Sequence, residues 1–244
     1  MYRLHYLPTG HVFLDPRDDC DKAADALIDT EYGEDFCLSL SFDPLFVAEL
    51  MAAGFLVMSC RLEDLAGPDE SETGTAEKFV LLPKHHLIRS CLFFPELYVK
   101  KSIKKHLPLY DLYFDRDFDL VLDKCIEIHG DGWLTPPLIT AIREMQNIEE
   151  SPARPVSFAL YRKDKLVAGE FGIVCGRVYT SYSGYFEEDN AGTVQMIHTA
   201  AWLEKAGFSF WDLGMPLDYK LTLGAREISR EDFYVLFREA QMGE

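Results

Sequence analysis

Three apolar runs joined by tight turns constrain this chain most. "VSFALYR" (156–162), "LVAGEFGIVC" (166–175) and "VYTSYSGYF" (178–186) each read as a strand, with Lys163-Asp164-Lys165 and Gly176-Arg177 as the turns between them. Before them, "YDLYFD" (110–115) reads as a strand, and 117–129 and 135–149 as helices. After them comes a long helix over 190–206, stopped by Gly207, then the strand "FSFWDLG" (208–214). A last helix over 229–240 opens with Ser229 followed three residues on by Asp232, a variant of the capping box.

The first half is smaller in scale. Residues 18–30 read as an amphipathic helix with acids in its first turn, where the helix dipole favours them. "FCLSLSF" (36–42) alternates like a strand, and a helix over 43–54 opens at Asp43-Pro44. "FLVMSCRL" (55–62), "KFVLL" (78–82) and "LIRSCLFF" (87–94) read as strands, and the acidic stretch 63–77, with its Gly and Pro, as a mobile loop. A basic helix follows at about 98–107, and the domain boundary is placed there. The expected architecture is α+β: a small N-terminal α+β domain over 1–97 and a GNAT-like acyltransferase domain over 98–244. The element order of the second half is what matches the GNAT type.

Charge singles out one segment. The chain has a formal net charge of −17, yet residues 79–106 hold six bases and one acid, between an N-terminal stretch of 17 acids and 5 bases and a C-terminal one of 23 acids and 13 bases. Lys100, Lys101, Lys104 and Lys105 dominate the island. On a helix, Lys100 and Lys104, and likewise Lys101 and Lys105, lie one turn apart and form one cationic face. By composition that face is either solvated surface or a grip on phosphates. With 48% hydrophobic residues the chain can bury a core, which excludes a disordered segment. No apolar run approaches the ~20 residues of a membrane helix, and the six dispersed cysteines form no CxxC pair, so neither zinc nor redox chemistry is indicated. A soluble, cytoplasmic protein with reduced thiols is the expectation. His85-His86 read as a surface loop, His198 as an ordinary core or surface histidine, and Trp202 and Trp211 as core.

Three segments carry a resemblance. "GDGWLTPPLI" (130–139), "YFEEDNAGTVQMIHTAAWL" (185–203) and "WDLGMPLDYKLTLGAREI" (211–228) together resemble the leucyl/phenylalanyl-tRNA–protein transferases. Trp133, Phe186, Asn190, Ala191, Asp212, Leu223, Gly224, Ala225, Glu227 and Ile228 stand in matching register. "FFPELYVKKSIKKHL" and "FDRDFDLVLDKC" extend the likeness, which covers roughly 79–240. The resemblance implies transfer of an aminoacyl group from charged tRNA to the N-terminal amine of an acceptor protein, typically one beginning with a basic residue, and so marks that protein for degradation. It implies no metal and no small cofactor. It places Lys100, Lys101, Lys104 and Lys105 on tRNA phosphates and Trp133 against the terminal adenosine. It makes Asp212 the acidic residue that orients the acceptor amine, the plainer reading of Asp212 being a bond to the nearby loop. It assigns the aminoacyl pocket to Glu170, Thr180, Tyr185, Phe186, Met196, Thr199, Leu203 and Trp211.

The departures from the family pattern are specific. The family's Gln two residues after the Asp is Gly214, its Glu before Ser-Met-Phe is Ser183, and an aromatic nine residues after the Trp is Ile142. Glu170 and the two threonines make the pocket more polar than the family's Met, Phe, Leu and Ile lining, which points to a different or more polar aminoacyl group. Two other readings stay open. One is a GNAT enzyme using acetyl-CoA, which "EEDNAGTVQM" argues against because it lacks the glycine-rich pyrophosphate cradle. The other is a non-catalytic descendant that binds tRNA or a protein.

Overall fold

The structure, a computed structural model, describes residues 2–66 and 78–242. In chain order its elements are β1 His5–Tyr6, β2 Val12–Phe13, α1 Cys20–Asp29, α2 Pro44–Ala52, β3 Leu56–Arg61, α3 Leu62–Ala66, β4 Phe79–Lys84, β5 Ile88–Leu92, α4 Lys101–Lys104, β6 Asp111–Phe114, α5 Phe118–His129, α6 Pro136–Met145, β7 Arg154–Arg162, β8 Lys165–Cys175, β9 Val178–Phe186, α7 Ala191–Lys205, β10 Phe210–Asp212, α8 Asp218–Thr222, β11 Arg226–Ser229 and α9 Arg230–Met242. The expected loop 63–77 begins instead as α3, and its part 67–77 lies outside the described residues.

The chain divides into two compact units, Met1–Leu87 with Gly130–Ala153, and Ile88–His129 with Arg154–Glu244. The expected cut at 97/98 differs from this division for two physical reasons. β5 hydrogen-bonds to β10 and β11, so it belongs to the second unit's sheet. α6 packs on α2, so 130–153 belongs to the first.

In the first unit, Asp19 and Asp43 cap α1 and α2 by accepting the backbone N–H groups of Lys22 and Phe46, with Pro44 at the first helical position. β3 and β4 pair antiparallel. The expected strand 36–42 is an extended segment with isolated bridges. It is threaded between β2 and β4, with Leu38 N–H donating to Val12 and Ser39 N–H to Leu81. His85 and His86 are buried here and do not form a surface loop: His86 Nδ1 lies 2.9 Å from Asp35 Oδ1, and the His85 ring packs on Phe55.

The second unit is built on a seven-stranded sheet in the order β11-β5-β10-β9-β8-β7-β6. Every pair is antiparallel except β9 and β10. Those two need a crossover, which α7 supplies. Phe158 on β7 meets Trp202 of α7, while Phe171 on β8 meets Phe118 of α5, and Phe210 on β10 meets Phe233 of α9. α7 therefore covers one face of the sheet, and α5 and α9 the other. Ser229 and Asp232 bond each other at the start of α9, as their spacing predicts.

The basic helix is far shorter than its expected span of 98–107. Only Lys101–Lys104 is helical, with Lys100 and Lys105 as its caps. Pro108 follows, and it lacks the N–H that a continuing helix would donate to Lys104. The four lysines are exposed around one turn, not arrayed in two columns.

Gly224 fixes another close approach. Its φ is +103°, and a Cβ there would lie 2.1 Å from the carbonyl oxygen of Glu96. Leu223 accepts Tyr98 N–H beside it, and Arg226 pairs with Glu96. Gly224→Ala is expected to destabilise the protein by roughly 3 kcal/mol or more, from steric overlap added to left-handed strain. A urea titration showing an unchanged midpoint would contradict this packing.

Candidate active site

Asp212 ends β10, as its place after "FSFW" predicts, but it is fully buried. Its carboxylate receives Arg89 of β5 through a short ion pair from Nη2 and a 3.2 Å bond from Nε. Thr180 Oγ1 donates to it at 3.0 Å and the Gly214 N–H at 2.9 Å. The Arg89 guanidinium in turn lies 4.4 Å from the Phe233 ring centroid. Asp212 is thus a neutralised anchor for two strands and the following turn. Its charge is not available to attract a basic N-terminus. The bond to Gly214 is the loop contact that the plainer reading of Asp212 anticipates.

Glu170 lies on the other face. Thr180 and Ser181 are successive on β9, so they point to opposite faces. Thr180 bonds Asp212, whereas Ser181 Oγ donates to Glu170 Oε2 at 3.2 Å and receives the Trp211 indole N–H at 2.8 Å. Phe158, which faces α7, is the cross-strand neighbour of Glu170. Burial pushes the Glu170 carboxyl up to about 7, with the polar heads of Gln195, Ser181 and Tyr179 pulling it partly back. No described residue hydrogen-bonds its second oxygen.

The expected pocket residues therefore do not converge on one cavity. Glu170 and Trp211 meet on the α7 side, where Leu203 is buried core, Met196 packs half-buried against that core, and Thr199 receives a bond from Gln195. Thr180 belongs with Asp212 on the α9 side. Tyr185 stands opposite Gly169 beside Val121 of α5, and Phe186 is 63% exposed. Trp133 belongs to the first unit, where its carbonyl receives both the N–H and the hydroxyl of Ser59.

Sequence reasoning missed two buried bases. Arg89 was readable as a lone cation inside the apolar strand "LIRSCLFF", a residue type almost never buried without a partner. Lys220 gave no such signal, since "PLDYKLTLG" has no regular periodicity. Lys220 is only 6% exposed, and its Nζ donates to the carbonyls of Leu213 and Met215, one on either side of Gly214. Burial brings its pKa down to about 8, with Arg89 adding to the fall and Asp212 and Glu170 opposing it.

A cleft of about 570 Å³ lies elsewhere in this unit, lined by His106, Tyr110, Arg162, Glu187, Glu188 and Asp189 among others. Glu188 pairs with Arg162, and Glu187 with Lys124 and Lys165. Among the described residues no cluster of three or more His, Cys, Asp or Glu is placed to hold a metal, and no helix is long and apolar enough to cross a membrane.

Residues 91–238 match the family described as leucyl/phenylalanyl-tRNA protein transferase. The chain belongs to that family. Among its relatives, the leucyl/phenylalanyl-tRNA–protein transferase of Pseudomonas putida (strain W619) is 35% identical over 150 residues, covering 59% of this chain and 65% of the relative. That of Maridesulfovibrio salexigens is 30% identical over 158 residues, covering 62% of this chain and 65% of the relative. The chain thus spans less than two thirds of the length of these relatives. Every expected site residue of this family member falls within 91–238; Arg89 lies just before the matched region and Lys220 inside it.

Proposed function

We propose that this protein is an aminoacyl-tRNA–protein transferase of the cytoplasm, with a GNAT-like acyltransferase sheet, that moves an aminoacyl group from charged tRNA to the N-terminal amine of an acceptor protein and so marks it for degradation. Family membership over 91–238 carries this reading. The exposed turn Lys100–Lys105 supports the tRNA half of it, because four ammonium groups with no ion pair among the described residues are, in an acidic chain, a local grip for phosphates. Trp133 is then a stacking platform for the terminal base, worth about 1–3 kcal/mol. The reaction is aminolysis of an ester, for which the protein orients a neutral amine against the carbonyl. No cofactor is called for.

The acceptor's basic N-terminus needs accessible carboxylates, and in the cleft at the start of α7 the exposed Asp189, which forms no ion pair among the described residues, fits that role beside the lysine- and arginine-paired Glu187 and Glu188. The polar surroundings of Glu170 on the α7 side support a donor side chain more polar than a purely aliphatic one.

The direct test is transfer from bulk tRNA charged with all twenty labelled amino acids to peptides beginning with Arg, Lys, Met, Asp or Glu. Labelled product establishes the class, and leucine or phenylalanine transferred best would sink the polar-donor reading. The full engagement of Asp212 favours one alternative, a tRNA-binding descendant without activity; binding without any product would establish it. Replacing all four lysines by alanine is expected to weaken tRNA binding at least ~100-fold at 0.1 M salt and to flatten the slope of log K against log salt by about 3. An unchanged slope in filter binding would remove the turn from the interface.

A further inference from the structure

We infer, on the strength of the transferase reading above, that Tyr98 and Tyr219 form a stacking platform for the unpaired nucleotides at the acceptor end of tRNA, beside the lysine turn that grips its phosphates. Segment 97–100 runs extended, with φ −54° and ψ 117° at Leu97 and φ −57° and ψ 138° at Lys100. Successive side chains of extended backbone point to opposite sides. Leu97 and Val99 pack on the core of the second unit, which turns Tyr98 and Lys100 to solvent on the other side. Tyr98 is 60% exposed, the core having no use for its ring.

A second exposed ring comes to the same place. Tyr98 N–H donates to the carbonyl of Leu223, the residue at the end of α8, where Gly224 allows the close approach. Tyr219 lies one helical turn before Leu223, and residues four apart are neighbours on a helix surface. The Tyr219 ring is 53% exposed and is backed by Lys220 Nζ, 5.7 Å from its centroid. Met215, Leu217 and Leu221, each nearly half exposed, extend the apolar surface around α8. Apolar surface gathered in this way marks a binding site.

Charge identifies the occupant. Lys100, Lys101, Lys104 and Lys105 continue from Tyr98 around an exposed turn and form no ion pair among the described residues. Glu96, on the other side of Tyr98 in the chain, is paired with Arg226. The exposed Asp218 beside Tyr219 opposes an anion, one charge against four. Exposed rings bordering a cationic track suit a single strand, since every base has a π face and the ammonium groups meet the phosphates. A duplex offers no free base faces along its length, so the rings fit the unpaired end of tRNA, where the aminoacyl ester is carried. A basic acceptor peptide is repelled by the same lysines.

Tyr98→Ala and Tyr219→Ala remove the rings from exposed sites, and Tyr98→Phe and Tyr219→Phe keep them; melting curves verify that each variant is folded. Filter binding compares intact tRNA with the same tRNA trimmed of its unpaired 3′ nucleotides. Wild type is expected to bind the intact form at least ~25-fold tighter, and each alanine variant to lose ~5-fold or more on intact tRNA alone. The phenylalanine variants match wild type, since stacking needs the ring and not the hydroxyl. The slope of log K against log salt stays unchanged, because no phosphate contact is lost. No preference of wild type for the intact form, equal losses on both forms, or no loss on either overturns the inference and leaves the transferase reading standing. In the transfer assay, an effect confined to the KM for the acceptor peptide would assign this surface to the acceptor and overturn the inference likewise. No binding of tRNA by wild type overturns the transferase reading and this inference with it.

Discussion

Arg89→Met is expected to cost about 3–5 kcal/mol, a melting point lower by roughly 10 °C for a chain of this size. The cause is not the loss of a favourable bond in itself. Asp212 is fully buried, and removing the guanidinium leaves its charge with only Thr180 and the Gly214 N–H. Asp212→Asn leaves Arg89 charged and buried by the same logic, and is expected to lose a similar amount. Arg89→Met with Asp212→Leu removes both charges, so the double variant should recover most of the loss: the two effects will be far from additive. Calorimetry on all four proteins decides this. A single variant melting within about 2 °C of wild type would mean that the pair is not a desolvated one. The result also governs any activity assay at position 212, which must be referred to the folded fraction.

Glu170→Gln should do the opposite, and its effect should depend on pH. An acid whose folded pKa is raised binds its proton more tightly when folded. Glu170 costs nothing below its unfolded value of 4.5, costs progressively more between 4.5 and about 7, and costs the full amount above. That amount is about 3 kcal/mol. Glutamine keeps the shape without the charge. The variant should match wild type near pH 4 and exceed it at pH 8, in denaturant midpoints measured at both. Equal stability at pH 8 would show that the carboxylate is better solvated than its burial implies. Lys220 contributes with the other sign: its penalty is complete below about 8 and is relieved as pH rises toward 10.5. Wild type should therefore regain part of its stability in alkali.

What was legible in the sequence follows from how local the signal is. The strands at 154–162, 165–175 and 178–186 announce themselves because alternation and turn residues lie side by side. The same holds for Ser229 and Asp232. The lysine helix was overread because its i, i+4 spacing is local, whereas Pro108 just beyond it decides its length. β11 went unseen because "REIS" is a short polar edge strand with little to distinguish it from a loop. Motif likeness marked Asp212, but nothing near it in the sequence shows that it is buried or that Arg89 neutralises it. That depends on which strands are neighbours. The eight expected pocket residues were likewise joined by likeness, and strand alternation sets Glu170 and Trp211 on the α7 face of the sheet and Thr180 on the other.

The strand order has a consequence for assembly. β7, β8 and β9 form two hairpins closed by near neighbours in the chain, a kind of contact that forms early, and β6 joins β7 across α5 and α6. β5 is different: its partners β10 and β11 are made long after it, and Arg89 waits for a carboxylate 123 residues further along. During synthesis the guanidinium therefore goes without the Asp212 carboxylate while about half of the chain emerges. The anchor at Asp212 and the turn that holds Lys220 come together only when the last strands dock on β5. A truncated chain ending before residue 210 can close its hairpins but cannot form the Arg89–Asp212 anchor, so the end of β5 is fixed only by the last part of the chain to fold.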